Sequence, residues 1–159
     1  MIKVGDKIPA LKLKVMTKDG PRDVTTDDVF KGKKVALFAL PGAFTPTCSA
    51  KHLPGFLQHY DALKAKGVNA IACLSVNDAF VMDAWGTSQN VGDKVVMLAD
   101  GNGEFTRAMG LEMDGTGFGM GQRSKRYAMV VDNGVVKSLD VEQPGKFEVS
   151  SVEAVLGKL

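Results

Sequence analysis

Two cysteines, Cys48 and Cys73, are the strongest nucleophiles in the chain, and their surroundings differ. Cys48 follows a continuous apolar run, Val35-Ala36-Leu37-Phe38-Ala39-Leu40, which the breaker pair Pro41-Gly42 ends. A run of that length reads as a buried strand. Thr45-Pro46-Thr47 then supplies a hydroxyl at a cap position and a proline at a first helical position, so a helix is expected to begin within a residue or two of Cys48. This places a thiol at a helix N-terminus just past the end of a buried strand. Cys73 instead lies inside a second apolar run, Val68 to Val76, where a cysteine usually acts as a small inert hydrophobe.

The thiolate is the nucleophile, and a free cysteine with a pKa of about 8.5 is only about 3% ionised at pH 7. A helix N-terminus contributes about 0.3 to 1 kcal/mol towards an anion, and about 2 kcal/mol when partly buried. Lowering a thiol pKa by about 2.5 units takes about 3.4 kcal/mol, so the helix end falls short. A guanidinium about 4 Å away adds about 4 kcal/mol at an effective dielectric near 20. An arginine folding back onto Cys48 is therefore expected. Arg123, Lys125 and Arg126 cluster before a later apolar run, and alternation puts Lys125 and Arg126 on opposite faces of an extended segment. These residues alone do not say which face meets Cys48.

The elements that must hold these groups follow in order. Leu11 to Met16 alternates apolar with basic residues as a half-exposed strand does, and Lys18-Asp19-Gly20-Pro21 turns it into a short return strand near Arg22 to Val24. Thr25-Thr26-Asp27-Asp28 caps a short helix ending at Gly32. Ser49 to about Lys66 reads as one amphipathic helix, with Leu53, Phe56, Leu57, Tyr60 and Leu63 on its buried face and a kink at Leu53-Pro54. Asn77-Asp78 caps a helix through Phe80, Met82 and Trp85. Val95 to Ala99 is a third buried strand, followed by a short helix over Phe105 and Met109. Gly110 to Gly121, with glycines at 115, 117, 119 and 121, reads as an irregular loop and lacks the spacing of a dinucleotide fingerprint. Arg126 to Val131 and Val135 to Leu139, joined by Asp132-Asn133-Gly134, form a hairpin, and Ser150 to Leu159 a last helix.

At 159 residues, 45% apolar and 24% charged, the chain fits one domain spanning residues 1–159. Its net charge of +2 is too small to argue for nucleic acid or an anionic membrane surface. No run approaches the roughly 18 apolar residues of a membrane span, and the first seven residues carry no apolar signal core, so a soluble, cytoplasmic protein is expected. Strands alternating with helices and ending in an antiparallel hairpin give an α/β class with a central mixed sheet flanked by helices on both faces, the thioredoxin-like pattern.

Pro41-Gly42-Ala43-Phe44-Thr45-Pro46-Thr47-Cys48-Ser49 matches the Pro-x-x-x-Thr-x-x-Cys signature of the peroxiredoxins. His52-Leu53-Pro54-Gly55-Phe56, Ser75-Val76-Asn77-Asp78, Ala84-Trp85-Gly86 and Arg126-Tyr127 continue in the order of the type II, peroxiredoxin-five-like subfamily, so nearly the whole chain resembles it. The resemblance implies a thiol peroxidase for hydrogen peroxide and alkyl hydroperoxides. Cys48 would be the peroxidatic cysteine, Thr45 the hydroxyl that orients the peroxide, Pro41 the ring shielding the thiolate and Arg126 the guanidinium. Thr47 would offer a backbone N–H to the developing charge, and Phe44 and Phe118 would line the substrate mouth. The segment Phe147 to Ser151 lacks the resolving cysteine found there in some relatives. That leaves a one-cysteine cycle served by glutathione and glutaredoxin, as in bacterial relatives, or a thioredoxin-dependent cycle with Cys73 resolving. No cofactor or metal is expected; His52, four residues from Cys48, reads as structural or interfacial. Trp85, Phe80 and Phe44 read as core, or by resemblance as part of a homodimer interface. A peroxide sensor that relays oxidation to a partner, and a binding module with an unreactive Cys48, are the competing classes.

Overall fold

The computed structural model describes residues 1–159. Its central strand, β3 (Lys34–Ala39), is buried along Val35 to Ala39 because nothing in that run needs water. Around it stand β1 (Lys12–Thr17), β2 (Gly20–Thr25), β4 (Ala70–Ser75), β5 (Val96–Ala99), β8 (Tyr127–Asp132) and β9 (Val135–Val141), in the order β2-β1-β5-β4-β3-β8-β9. β3, β4 and β5 are parallel, and the β1–β2, β3–β8 and β8–β9 pairs are antiparallel. β6 (Glu112–Asp114) and β7 (Gln122–Ser124) make a separate two-stranded hairpin.

Alternation along the strands divides the core in two. Ala36, Phe38, Ile71 and Cys73 face one side with Phe56, Leu63, Met82, Trp85, Val152 and Val155. These come from α2 (Leu53–Gln58), α3 (Tyr60–Ala65), α4 (Ala79–Ser88) and α6 (Val152–Leu156). Val35, Leu37, Ala39, Ala72 and Leu74 face the other side with Phe30 of α1 (Thr26–Phe30) and with Phe105 and Met109 of α5 (Glu104–Met109). Helices thus cover both faces of a mixed sheet, the thioredoxin-like arrangement expected. No helix is long and apolar enough to cross a membrane.

One register positions the site. β3 and β8 pair antiparallel with Ala39 opposite Tyr127, so the residues after β3 and those before β8 emerge at the same sheet end. The hairpin between β8 and β9 turns through Asn133 (φ 50°) and Gly134 (φ 79°), two left-handed residues that fit the twist of a tight hairpin and pair Asp132 with Val135.

Several expected elements differ. The helix expected over Ser49 to Lys66 is broken: Pro46 and Thr47 are already helical, Cys48–His52 form a π-helical turn, and α2 and α3 are separated at His59. The irregularity lies just before Pro54 rather than as a simple kink. The Leu53 N–H bonds Cys48 O in the wider register next to a proline that has no N–H to give. The last helix is Val152–Leu156, shorter at both ends: Ser151 takes the N-cap by accepting from Ala154 N, and Gly157 is the C-cap. Gly110 to Gly121 is not wholly irregular, since β6 and a 3-10 turn at Thr116–Phe118 fall within it.

Candidate active site

The turn after β3 is held from both sides. Asn77 Oδ1 accepts from Ala43 N at 3.0 Å and lies 2.7 Å from Ser75 Oγ, fastening the turn to the end of β4. Arg123 Nη1 donates to Pro41 O at 3.3 Å while its Nε donates to Met120 O at 3.0 Å, joining the same turn to the β6–β7 hairpin. A methyl group at Gly42 would stand 2.9 Å from Arg123 Nη1, so the close approach depends on glycine. Phe44 adopts φ 65°, a left-handed conformation that costs free energy in a residue with a side chain and persists because its neighbours fix it.

Thr45 does not cap the helix through its hydroxyl. Its Oγ1–H is given to Gly42 O at 2.7 Å, which leaves the oxygen lone pairs as acceptors, while Thr45 O receives Ser49 N at 3.0 Å. Cys48 thus sits in the first helical turn with its side chain buried. α4 holds that turn through Trp85, whose Nε1–H donates to Ser49 Oγ at 3.0 Å, and Gln89, whose Nε2 donates to Ser49 O at 3.2 Å.

Of the three cations weighed in the sequence, Arg126 reaches the thiol. Its Nη2 donates to Cys48 Sγ at 3.0 Å, and its Nη1 lies 2.8 Å from His52 Nδ1. A guanidinium can only donate, so His52 Nδ1 accepts and the imidazole proton is on Nε2, which donates to Ser150 O at 2.9 Å. Burial, then the adjacent Arg126 charge, pull the His52 pKa down to about 3, so the ring is neutral at pH 7. The positive charge beside the sulfur is therefore the guanidinium alone. Phe147 packs against both groups, with its ring centroid 5.9 Å from Arg126 Cζ and 5.0 Å from the His52 ring.

The support extends to a residue the sequence reading did not single out. Glu142 Oε2 accepts from the backbone N–H groups of Glu148, Val149 and Ser150, each at 2.8 Å, and from Ser150 Oγ at 2.7 Å. Burial pushes the Glu142 carboxyl upward, but the Ser150, Glu148 and Val149 donors outweigh it and hold it below the usual carboxylate range. The carboxylate thereby fixes the segment whose Ser150 carbonyl orients His52. A lone acid beside Gln143-Pro144-Gly145 marks a turn in the sequence and says nothing of which backbone amides it will meet.

A cavity of about 380 Å³ is lined by Pro41, Thr47, Lys125, Arg126 and Glu142 among others; it adjoins the Cys48 turn through Pro41, Thr47 and the guanidinium of Arg126, while Cys48 itself is buried behind them. Phe44 and Phe118 do not line it and stand 57% and 84% exposed. Trp85 is core as expected, whereas Phe80 is 67% exposed. Cys73 is fully buried in β4, opposite Phe38 on β3 and Met97 on β5, and burial pushes its thiol up, with the nearby Cys48 adding to the shift. Both cysteines are free thiols, and no three His, Cys, Asp or Glu side chains are grouped to hold a metal.

The family model described as Redoxin matches residues 3–156. The chain is 53% identical to the chloroplastic peroxiredoxin-2E-2 of Oryza sativa subsp. japonica, over 99% of this chain and 72% of that protein. This chain is a peroxiredoxin of the redoxin family. Reduced Prx3 of Vibrio vulnificus, solved in complex with hydrogen peroxide, superimposes with a TM-score of 0.95 at 56% identity, covering 99% of this chain and 98% of the other. The 1-Cys peroxiredoxin of Plasmodium falciparum does so with a TM-score of 0.91 at 32% identity, over 97% and 96%. A peroxiredoxin is an enzyme, an oxidoreductase that reduces peroxides with a thiol as the electron source.

Proposed function

We propose that Cys48 is the peroxidatic nucleophile and that the chain is a one-cysteine peroxidase of the type II, peroxiredoxin-five-like kind. The observation that carries this is the 3.0 Å hydrogen bond from Arg126 Nη2 to Cys48 Sγ at the wall of a cavity. A charge-assisted donor, held in place by neutral His52, is thereby aimed at the sulfur that attacks. The Cys48 sulfur attacks the terminal oxygen of HO–OR. The S–O bond forms as the O–O bond breaks, and its electron pair leaves on RO⁻, which takes a proton from solvent to give water or an alcohol. Sulfur is oxidised to the sulfenic acid Cys48–SOH and the peroxide is reduced.

Thr45 Oγ1, its own proton committed to Gly42 O, is free to accept the peroxide O–H. Arg126 and the unpaired first-turn N–H groups of Thr47 and Cys48 stabilise the departing oxygen, as an oxyanion hole does. Pro41 limits access of water to the sulfur. A first external thiol then displaces water from Cys48–SOH to give a mixed disulfide, and a second releases the Cys48 thiol with formation of the external disulfide.

Glutathione with glutaredoxin supplies those thiols on this reading, because the alternative donor, Cys73, is enclosed mid-sheet with its thiol pushed up. Exposed Phe44 and Phe80 provide apolar surface for a homodimer. Peroxide consumption should be measured for wild type, Cys48→Ser and Cys73→Ser with glutathione and glutaredoxin, and separately with thioredoxin and its reductase. Turnover by wild type and Cys73→Ser with the glutathione system, and none by Cys48→Ser, is expected. Turnover with thioredoxin alone that disappears in Cys73→Ser would replace this cycle with one in which Cys73 resolves.

A further inference from the structure

The cavity beside Cys48 is larger and more cationic than hydrogen peroxide requires. One water occupies about 30 Å³ of liquid, and a peroxide is little bigger, whereas 380 Å³ lies in the range of small-molecule sites. Three cations line it. Arg126 is committed to Cys48 and His52, but Lys125, half buried, and Lys146, exposed, take no part in any of the three ion pairs of the protein, Lys14–Asp23, Arg22–Asp19 and Lys158–Asp140. The single acidic side chain of the lining, Glu142, spends its Oε2 on Ser150 and the backbone of 148–150. The lining therefore carries an excess of two positive side-chain charges, with two lysines lacking a protein counter-anion. Met113 and Val141 add apolar wall to the same cavity.

We infer that this cavity is a subsite for organic hydroperoxides that bear a carboxylate, with the hydroperoxide end at Cys48 and the carboxylate at Lys125 and Lys146. The inference rests on Cys48 being the peroxide-reactive residue and adds a substrate class to that reading. Both ends of such a molecule meet what they need: donors for the O–OH group at Arg126, whose other contact is Cys48 Sγ, and cations for the distal anion. The lysines are reached through solvent, so their pull is screened by salt, over a Debye length of about 10 Å at 0.1 M ionic strength. Oxidation of Cys48 proceeds with the same balance as above, the leaving alkoxide being that of the carboxylated alcohol.

The test uses pre-reduced protein in a single turnover without any thiol, so that the reductant plays no part. Its probes are 4-hydroperoxy-4-methylpentanoic acid and its methyl ester, with hydrogen peroxide alongside. At pH 7 and low salt the acid should oxidise Cys48 about tenfold faster than the ester, and the ratio should fall towards one at high salt. Measured within each protein, the ratio should also fall towards one in the Lys125→Met/Lys146→Met double variant. It should do the same in Lys146→Glu, whose exposed position spares the fold. Equal rates for acid and ester in wild type, or a ratio unmoved by both lysine variants, would overturn the inference while hydrogen peroxide reduction still upheld the peroxidase reading. If no peroxide oxidised Cys48, that reading would fail and this one with it.

Discussion

His52 makes stability depend on pH, in a direction that its burial and its contact with Arg126 set. In the unfolded chain its pKa is near 6.5, while in the folded protein burial and Arg126 bring it down to about 3. Between those values the unfolded state binds a proton that the folded state does not, so stability rises with pH and is lost as the pH falls below about 6.5. For these two pKa values the loss between pH 8 and pH 5 is about 2 kcal/mol, and by pH 3 it reaches about 4 kcal/mol. With a urea m-value of about 2 kcal/mol/M, the first figure corresponds to a midpoint shift of about 1 M. Urea unfolding of wild type and His52→Gln should be followed at pH 8 and pH 5. Wild type should lose about 2 kcal/mol more than the variant, which has no imidazole to protonate. Equal losses would refute the assignment of His52 as a neutral ring pinned between Arg126 and Ser150.

Two substitutions probe the same chain of contacts from either end. Arg126→Lys keeps the charge but loses the planar fork whose two nitrogens separately hold Cys48 Sγ and His52 Nδ1, and loss of a charged hydrogen bond of about 1.5–3 kcal/mol should slow single-turnover peroxide reduction about 10- to 150-fold; a rate within threefold of wild type would contradict the role given to the guanidinium. Glu142→Ala leaves the buried Ser150 donors without their acceptor, so denaturant unfolding should show a loss of about 1–3 kcal/mol. Peroxide reduction should also slow in Glu142→Ala, because Ser150 O no longer orients His52. An unchanged rate in a destabilised but folded variant would show that Glu142 supports the fold alone.

The parts of the site that were legible in the sequence are those set by local chemistry. Pro41-Gly42 ends a buried strand, Pro46 starts a helix and Cys48 falls in its first turn because of constraints that act within a few residues. The need for an arginine also followed from the size of the helix-end effect, but its choice among Arg123, Lys125 and Arg126 depended on contacts between residues 78 and 82 apart in the chain. The Ala39–Tyr127 register settles it: Arg126 meets Cys48, while Arg123 clamps Pro41. What was not legible depends on partners brought together only by the fold. The hairpin β6–β7 hides in a segment of glycines with no alternating pattern. Likewise, the π-helical turn arises where the first helical turn must present Cys48 and His52 to one guanidinium just before Pro54, and Glu142 gains its role from amides six to eight residues away that curl back onto it.

The central claim is that Cys48 alone carries the peroxide chemistry, and intact mass tests it most directly. Reduced wild type, Cys48→Ser and Cys73→Ser should each meet about one equivalent of hydrogen peroxide briefly before measurement. The account predicts a rapid gain of one oxygen in wild type and in Cys73→Ser, and no change in Cys48→Ser. A loss of two hydrogens in wild type that Cys73→Ser abolishes would contradict the one-cysteine cycle, and oxygen uptake by Cys48→Ser at the wild-type rate would contradict the assignment of Cys48 itself.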